Sequence, residues 1–200
     1  IQGGYPNGGG SQNISANPTI LNGNIGNKQD SLDNVYHILT IITSSSVPLI
    51  DSTTIVNGFT FKEGYGNSTT TDTINGQAIL RSAGGAIYNS SFKNYTCNPT
   101  ISNCNFTENY ATRGGGIYNT AISDPFKEFG FCSPAIENCI FLKNSAVQGG
   151  AISCFSQEAQ SNCIVNNCSY TENKASSMGG AVYVQTNSRG HNSPVLNNCS

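Results

Sequence analysis

One segment of the chain recurs at a regular spacing, and this repetition constrains the fold more than any other feature. The segment TISNCNFTENYATRGGGIYN (100–119) recurs as AIENCIFLKNSAVQGGAISC (135–154) and as VNNCSYTENKASSMGGAVYV (165–184). A further copy begins with VLNNCS at position 195, and a divergent earlier copy reads VNGFTFKEG (56–64), with GGAIYN at 84–89. Such a period indicates a repeat architecture in which each unit packs against its neighbours.

The composition of each repeat favours short strands over helices. The repeated cysteines lie 35, 29 and 31 residues apart and are Cys104, Cys139, Cys168 and Cys199. Apolar residues alternate with polar ones over short stretches, whereas an amphipathic helix would place them at i, i+3, i+4 and i+7. Asn, Gly, Ser and Thr, which favour turns, separate these stretches. The sequence therefore predicts an all-β fold, a parallel β-solenoid with coils of about 30 residues.

Composition excludes several classes of partner. Charged residues make up 10% of the chain and the net charge is −2, so nucleic acid is not an expected partner. There is no run of 18 apolar residues, so no membrane-spanning segment is expected. Eight cysteines suit an oxidising compartment, which predicts a secreted or cell-surface protein.

The 200 residues fit a single β-helix domain, with irregular early coils over 1–82 and regular repeats over 83–200. We expect early strands within Pro18–Ile25, Tyr36–Thr43, Val47–Ile50 and Thr54–Phe61, and a polar loop over Asn67–Gln77.

Two insertions, Ser90–Asn98 and Thr120–Cys132, interrupt the regular repeats. The second carries Phe126, Phe129 and Phe131, which could form a binding loop. We favour a lid packed on the adjacent coil.

Equivalent positions of the repeats predict a core of stacked like residues. The inward residues near the centre of each repeat are Cys104, Cys139, Cys168 and Cys199, followed two positions later by Phe106, Phe141 and Tyr170. In a parallel stack these side chains would lie one above another at about 4.8 Å, the spacing of paired strands. Aromatic and aliphatic columns would then form the core.

Two columns of asparagine are expected at the bends. The first contains Asn103, Asn138, Asn167 and Asn198, and the second contains Asn109, Asn144 and Asn173. Gly58 and Gly64 replace asparagine in the divergent copy, which predicts a left-handed backbone at both bends. The side-chain amides could also bond along the stack. A direct role of these asparagines in sugar binding is the less favoured alternative.

Glycine pairs and the motifs around them carry a family resemblance. Gly84–Ile87, Gly149–Ile152 and Gly179–Val182 read GGA followed by Ile or Val, and Gly114–Ile117 departs by one glycine. Phe-x-x-Asn occurs at Phe106–Asn109 and Phe141–Asn144, with Tyr in place of Phe at Tyr170–Asn173. These motifs resemble the repeats of chlamydial polymorphic outer-membrane proteins, and the opening of the chain resembles secreted bacterial β-helix proteins. The resemblance implies a right-handed parallel β-helix at or outside the cell surface, with an adhesive or structural role.

The residues do not form a convincing catalytic or metal-binding motif, so no catalytic residue, metal or cofactor is predicted. Glu63, Glu108, Lys143 and Glu172 occupy equivalent positions and predict a ladder of surface ion pairs. A pair of catalytic carboxylates is the less favoured alternative. Asp30 and Asp33 could contribute to a Ca²⁺ site but are better interpreted as turn residues. His37 lies in a predicted strand, where a structural role is expected.

The remaining cysteines predict disulfides. Cys97 and Cys132 each precede a repeated cysteine by seven residues, which places them on successive coils, and Cys154 and Cys163 bracket a short excursion. We therefore expect Cys97–Cys132 and Cys154–Cys163 bonds, with the repeated cysteines packed as buried thiols. Seven Asn-x-Ser/Thr sequons permit glycosylation. A chain this rich in Asn, Ser and Thr would contain about as many by chance. The sequons are Asn13, Asn67, Asn89, Asn94, Asn105, Asn167 and Asn198.

Regular stacking and low charge favour a non-enzymatic extracellular or cell-surface protein, an adhesin stalk or a filament subunit. The alternative is a polysaccharide lyase or hydrolase, or a carbohydrate-binding module, on the same scaffold. A groove lined by exposed carboxylates and aromatic rings would favour the alternative. Expected partners are further coils of the same chain or other copies of it end to end, within a longer rod, and cell-surface glycans or proteins.

Overall fold

The computed structural model describes residues 1–123, 129–187 and 189–200, so Phe126 lies outside the described residues. The described chain contains 23 short strands, one 3-10 helix (Ser31–Asp33) and no α-helix. None of these elements is a helix long and apolar enough to cross a membrane.

The strands follow one another in five successive coils and the start of a sixth. The first coil contains β1 (Thr19–Asn22), β2 (Leu39–Ile42) and β3 (Leu49–Ile50). The second contains β4 (Ile55–Asn57), β5 (Phe59–Lys62), β6 (Tyr65–Gly66), β7 (Thr71–Ile74), β8 (Gln77–Leu80), β9 (Ile87–Phe92) and β10 (Thr96–Cys97). The third contains β11 (Thr100–Ser102), β12 (Asn105–Thr107), β13 (Tyr110–Arg113) and β14 (Ile117–Ile122).

The later coils repeat the third. The fourth contains β15 (Ala135–Glu137), β16 (Ile140–Leu142), β17 (Ser145–Gln148) and β18 (Ile152–Gln157). The fifth contains β19 (Ile164–Asn166), β20 (Ser169–Thr171), β21 (Lys174–Met178) and β22 (Val182–Asn187), and β23 (Val195–Asn197) begins the sixth. Because the four strands follow one another in the same order in the third, fourth and fifth coils, these repeats have the same orientation in the stack.

Equivalent strands pair in parallel and form four main sheets along the stack. The first sheet is β4-β11-β15-β19-β23, the second is β1-β5-β12-β16-β20, the third is β6-β13-β17-β21 and the fourth is β2-β9-β14-β18-β22. The registers place like residues on like residues. Ile101 pairs with Val56 and Ile136, and Phe106 pairs with Phe61 and Phe141. The predicted all-β parallel β-helix is therefore confirmed.

The core is a set of columns that run along the stack. Phe61, Phe106, Phe141 and Tyr170 form one column, with ring centroids 5.2, 4.7 and 5.2 Å apart and ring planes within 11° of parallel. The three phenylalanines are fully buried. Aliphatic columns from the first and fourth sheets complete the interior; they include Ile101, Ile136, Val165, Ile87, Ile117 and Ile152. Each coil therefore buries only a few side chains, and it does so against its neighbours.

The glycine pairs form the corner between the third and fourth sheets. The first glycine of each pair has a positive φ of 62–69°, as at Gly114 and Gly149. The second glycine packs closely where a complete coil follows, since a Cβ on Gly150 would collide with the carbonyl oxygen of Gly180, whereas a Cβ on Gly180 would make only an ordinary contact. Both positions therefore require glycine within the stack, for a left-handed backbone and for close packing respectively.

The early coils differ from the sequence-based expectation. The segment Asn67–Gln77, predicted to be a polar loop, contains β7 and the start of β8, which form an antiparallel hairpin. Asn75 and Gly76, with φ of 52° and 77°, form its turn, as expected of an Asn-Gly hairpin connection. The buried Ile79 of this hairpin packs with Tyr88 and Tyr118 on the outer face of the fourth sheet. A second, smaller apolar cluster therefore lies outside the stack.

The two insertions are also more regular than predicted. The segment Ser90–Asn98 includes the end of β9 and all of β10, and the segment Thr120–Cys132 begins inside β14. Phe131 continues the β3–β10 pairing through an isolated bridge to Thr96. The excursions between coils are thus shorter than the sequence suggested.

Candidate functional site

The first asparagine column lies at the bend between the first and second sheets. Asn103, Asn138, Asn167 and Asn198 have φ of 49–54°, and Gly58 has φ of 76°, as predicted for a left-handed bend. These side chains are exposed. Nδ2 of Asn167 donates to Oδ1 of Asn138 at 3.3 Å, and Asn198 donates to Asn167 in the same way. The column fixes the backbone turn and contributes a ladder of solvent-exposed amides.

The second asparagine column does not have the predicted backbone. The left-handed residues at this bend are the preceding ones, Glu63, Glu108, Lys143 and Glu172, with φ of 54–60°. The expectation of a positive φ at Asn109, Asn144 and Asn173 was therefore wrong. Gly64 also lacks a positive φ; a Cβ there would collide with the carbonyl oxygen of Gly85, so close packing requires the glycine.

Asn109 and Asn144 instead point into the stack and are fully buried. Nδ2 of Asn144 donates to the Phe106 carbonyl at 2.9 Å and to Oδ1 of Asn173 at 3.0 Å. Its Oδ1 accepts from the backbone and side-chain nitrogens of Asn109, at 3.2 and 2.9 Å. One amide thus joins three successive coils, and its hydrogen-bonding groups are satisfied without water.

All eight cysteines are free thiols in this structure, so the Cys97–Cys132 and Cys154–Cys163 bonds stay predictions. Cys97 and Cys132 do follow one another on successive coils, since the Cys97 backbone donates to Phe131 and that of Cys132 to Gln160. Burial raises the pKa of the Cys132 thiol, and contact with Cys97 raises it further. Cys104, Cys139 and Cys168 are buried, whereas Cys199 is half-buried. The burial of Cys104, Cys139 and Cys168 fits thiols that pack as small apolar core residues.

The sequons differ in accessibility. Asn89 is fully buried, and its Nδ2 donates to Oδ1 of Asn119 at 2.7 Å, so a glycan on Asn89 does not fit the folded chain. Asn105 is half-buried, and the other five sequon asparagines are exposed: Asn13, Asn67, Asn94, Asn167 and Asn198. Glycosylation of the exposed sites stays a prediction.

Phe129 and Phe131 do not form the favoured lid. Their side chains are 47% and 38% exposed, and with Arg189 and His191 they line a shallow cleft of about 330 Å³. A ring packed down on the adjacent coil would instead be largely buried. The lid interpretation is therefore wrong for these two residues.

The histidine and the early aspartates have structural environments. Nδ1 of His37 lies 3.1 Å from the Gly84 carbonyl, and burial lowers the pKa of its imidazole. Asp30 accepts from the backbone of Leu32, and Asp33 accepts from the backbone of Asn27 at 2.7 Å, so both carboxylates shape a turn. Within the described residues, no group of His, Cys, Asp or Glu has the arrangement of a metal site.

The left-handed residues Glu63, Glu108, Lys143 and Glu172 form the predicted ladder of ion pairs only in part, because Lys62, which the prediction did not include, makes the pairs with Glu63 and Glu108. Nζ of Lys62 lies 2.8 Å from a carboxylate oxygen of Glu63 and 3.3 Å from one of Glu108. Farther along the stack, Lys143 lies 3.9 Å from Glu172. The hydrogen bond from Lys62 holds the pKa of Glu63 below its usual value, and the contacts with Glu63 and then Glu108 raise the pKa of Lys62.

A groove that was not expected from the sequence lies beside this ladder. The rings of Tyr65 and Tyr110 stack at the surface, with centroids 4.8 Å apart and planes inclined by 29°. The excursion between β1 and β2 contributes Asn24 and Lys28 to the opposite wall. Together with Glu63, Glu108 and Ser145, these residues line a cavity of about 400 Å³. A second cavity of about 270 Å³ adjoins it and shares Asn24, Lys28 and Glu63.

The signal for this groove was present in the repeats. Tyr65 follows Phe61 by four residues, and Tyr110 follows Phe106 by four residues. Because Phe61 and Phe106 occupy one column, the two tyrosines must also occupy one column, and the observed register places Tyr110 opposite Tyr65. In the part of the chain that the structure describes, the excursion that closes the groove has no counterpart in the other repeats, so its position could not be read from the periodicity.

Two of the repeats are similar to a repeat of a known protein family. The model of the Chlamydia polymorphic membrane protein repeat matches residues 103–120 and 138–154. These two stretches, 35 of the 200 residues, are similar to that repeat. Each match begins at an exposed bend asparagine and extends through the buried asparagine and the glycine corner into the fourth sheet. The family resemblance predicted from the motifs is therefore confirmed for these two repeats. No curated protein and no solved structure matches the chain.

Proposed function

We propose that this chain is a non-enzymatic β-helix at the cell surface or outside it, which acts as an adhesin stalk or a filament subunit. The observation that carries the proposal is the match of two consecutive coils to the repeat of a membrane-protein family. The parallel pairing of equivalent strands in every coil supports a load-bearing, extended role, because each coil is held by both neighbours. Localisation at the surface fits the eight cysteines and the exposed sequons.

The groove has the carboxylates and aromatic rings that would favour a carbohydrate-active enzyme or a carbohydrate-binding module, and of these two its electrostatics support binding more than catalysis. A glycoside hydrolase needs one carboxylic acid whose pKa is raised, so that it can protonate the leaving group. At Glu63 the pKa is lowered because Lys62 donates a hydrogen bond to the carboxylate. A lyase base would need a lysine that loses its proton easily, whereas the contacts with Glu63 and Glu108 raise the pKa of Lys62. Both shifts oppose acid–base chemistry and favour a fixed, charge-paired wall.

The proposal is tested by two measurements on the same preparation. Antibody labelling of intact cells of the source organism is expected to stain their surface, and beads coated with the purified chain are expected to adhere to host cells. Absence of both surface labelling and adhesion would contradict the proposal.

The enzymatic alternative has its own measurement. The chain is incubated with uronic-acid and neutral polysaccharides, and new reducing ends and unsaturated ends are followed. We expect neither product to form above the level of a heat-denatured control. Sustained release of either product would replace the proposed function with a carbohydrate-active enzyme.

A further inference from the structure

The tyrosine column of the groove ends in an open ring face. In the third sheet the outward residues of successive coils are Tyr65, Tyr110, Ser145 and Lys174, which pair in register. Tyr65 covers one face of Tyr110 at a centroid distance of 4.8 Å. The other face of Tyr110 is directed toward Ser145, whose side chain is too small to cover it. The next position in the column, above Ser145 and about 4.8 Å in height, therefore holds no ring. We call this position the vacant rung.

This vacant rung lies inside the groove, because Tyr110 and Ser145 both line the cavity of about 400 Å³. That volume is within the range of roughly 300–1,000 Å³ found for ligand sites. An aromatic face carries partial negative charge and attracts the polarised C–H bonds of a flat, apolar surface. The rung thus fits a ring that has C–H groups on its face and hydrogen-bonding groups around its edge.

The polar lining fits the edge of such a ring. Glu63 and Glu108 offer carboxylate acceptors, and Lys28, Lys62 and Asn24 offer donors. Two lysines face two glutamates, so the charges of the groove balance and a polyanion or polycation gains little there. A hydroxyl group both donates and accepts hydrogen bonds, so it can bond to the carboxylates and to the lysine and asparagine side chains of the groove. It also adds no charge to the groove.

We propose that the groove binds an uncharged oligosaccharide of hexopyranose units, with one sugar ring stacked on the open face of Tyr110 above Ser145. The hydroxyl groups of that sugar bond to Glu108, and the neighbouring sugar extends toward Lys62, Glu63 and Asn24. This inference gives the adhesive role a class of ligand, and in that sense it rests on the proposed function.

The first experiment measures binding directly. Cellohexaose, maltohexaose and fully N-acetylated chitohexaose are titrated into the purified chain by isothermal titration calorimetry, with a hexamer of galacturonic acid as the charged comparison. At least one neutral hexasaccharide is expected to bind with a 1:1 stoichiometry and more tightly than the acidic hexamer. Failure of all three neutral probes, or preference for the acidic one, would overturn the inference.

Two variants test the vacant rung. Tyr110→Ala removes the stacking face and is expected to weaken binding about tenfold. Ser145→Tyr leaves Tyr110 in place but fills the rung with a third ring, and it is expected to abolish binding. Tyr95→Ala and Ser193→Tyr are the matched controls, since they make the same changes in loops outside the groove and should leave the affinity unchanged. Unchanged binding by Ser145→Tyr, with the fold verified by circular dichroism, would contradict the proposed position.

The bead-adhesion assay separates this inference from the proposed function. If Ser145→Tyr loses hexasaccharide binding and its beads lose adhesion, the groove is the adhesive site. If hexasaccharides do not bind but wild-type beads adhere, the saccharide inference is overturned while the adhesive function stands. If hexasaccharides bind but beads do not adhere, the inference about the groove stands and the adhesive role is contradicted.

Discussion

The two bends that flank the second sheet carry the same residue type and use it in opposite ways. Asn138, at the first bend, has a left-handed backbone and an exposed side chain. Asn144, at the second bend, has an ordinary backbone and a buried side chain that joins three coils. The left-handed conformation at the second bend is adopted by Lys143 instead. A column of asparagines therefore does not by itself reveal whether backbone conformation or hydrogen bonding selects the residue.

Burial explains the difference. An exposed amide can exchange its partners for water, so a ladder of exposed amides contributes little net stability. A buried amide has no such alternative, and leaving one of its groups without a partner costs about 1–3 kcal/mol. The inner column should therefore hold the coils together, while the outer column should mainly set the direction of the chain. The following substitutions test this contrast.

The largest effect is expected from Asn144→Ala. The change removes the acceptor of two Asn109 groups and leaves the Phe106 carbonyl without its side-chain donor. We expect a loss of about 4 kcal/mol in the free energy of unfolding, since several buried groups lose partners together. Urea denaturation followed by circular dichroism measures it. A loss below about 1 kcal/mol would remove the distinction between the two columns.

An intermediate test replaces asparagine by glycine in both columns. Asn138→Gly keeps the left-handed bend accessible and loses one exposed hydrogen bond of 3.3 Å, so it should cost about 0.5 kcal/mol or less. Asn144→Gly should cost at least as much as Asn144→Ala because a glycine cannot replace the buried amide. The opposite order of the two glycine variants would show that backbone conformation governs the inner column.

The smallest effect is expected at the residue that adopts the left-handed conformation of the second bend. Lys143→Asn places a residue that tolerates φ of 56° where lysine is strained, at the expense of a long, exposed ion pair with Glu172. We expect a gain of about 0.5 kcal/mol, seen as a slightly higher midpoint of thermal unfolding. Destabilisation that disappears in high salt would mean that the ion pair outweighs the backbone strain.

The repeats predicted most of the stack because their periodicity fixes the register. Once Phe106 is aligned with Phe141, the pairing of Ile101 with Ile136 follows, and the structure has both pairs. Periodicity also predicted the left-handed bend at Asn103. These features recur in each coil, so several copies of the same evidence supported each inference.

The features that occur once were not predicted. The β7–β8 hairpin has a recognisable Asn75-Gly76 turn, but the threonine-rich composition around it suggested a loop. The groove depends on an excursion between β1 and β2 that, within the described residues, does not recur in the later coils. One recurring feature was also predicted wrongly. Glycine at position 64 suggested a positive φ for the column of Asn109, whereas close packing is what requires that glycine.

The contrast between the two asparagine columns is tested most directly by hydrogen exchange of the side-chain amides, measured residue by residue by nuclear magnetic resonance. We predict that the Nδ2 protons of Asn109 and Asn144 exchange slowly, because they are buried and bonded to the neighbouring coils. The Nδ2 protons of Asn138 and Asn167 should exchange at rates close to those of a free amide. Equal exchange rates in the two columns would contradict the claim that the inner column fastens the coils and the outer one only turns the chain.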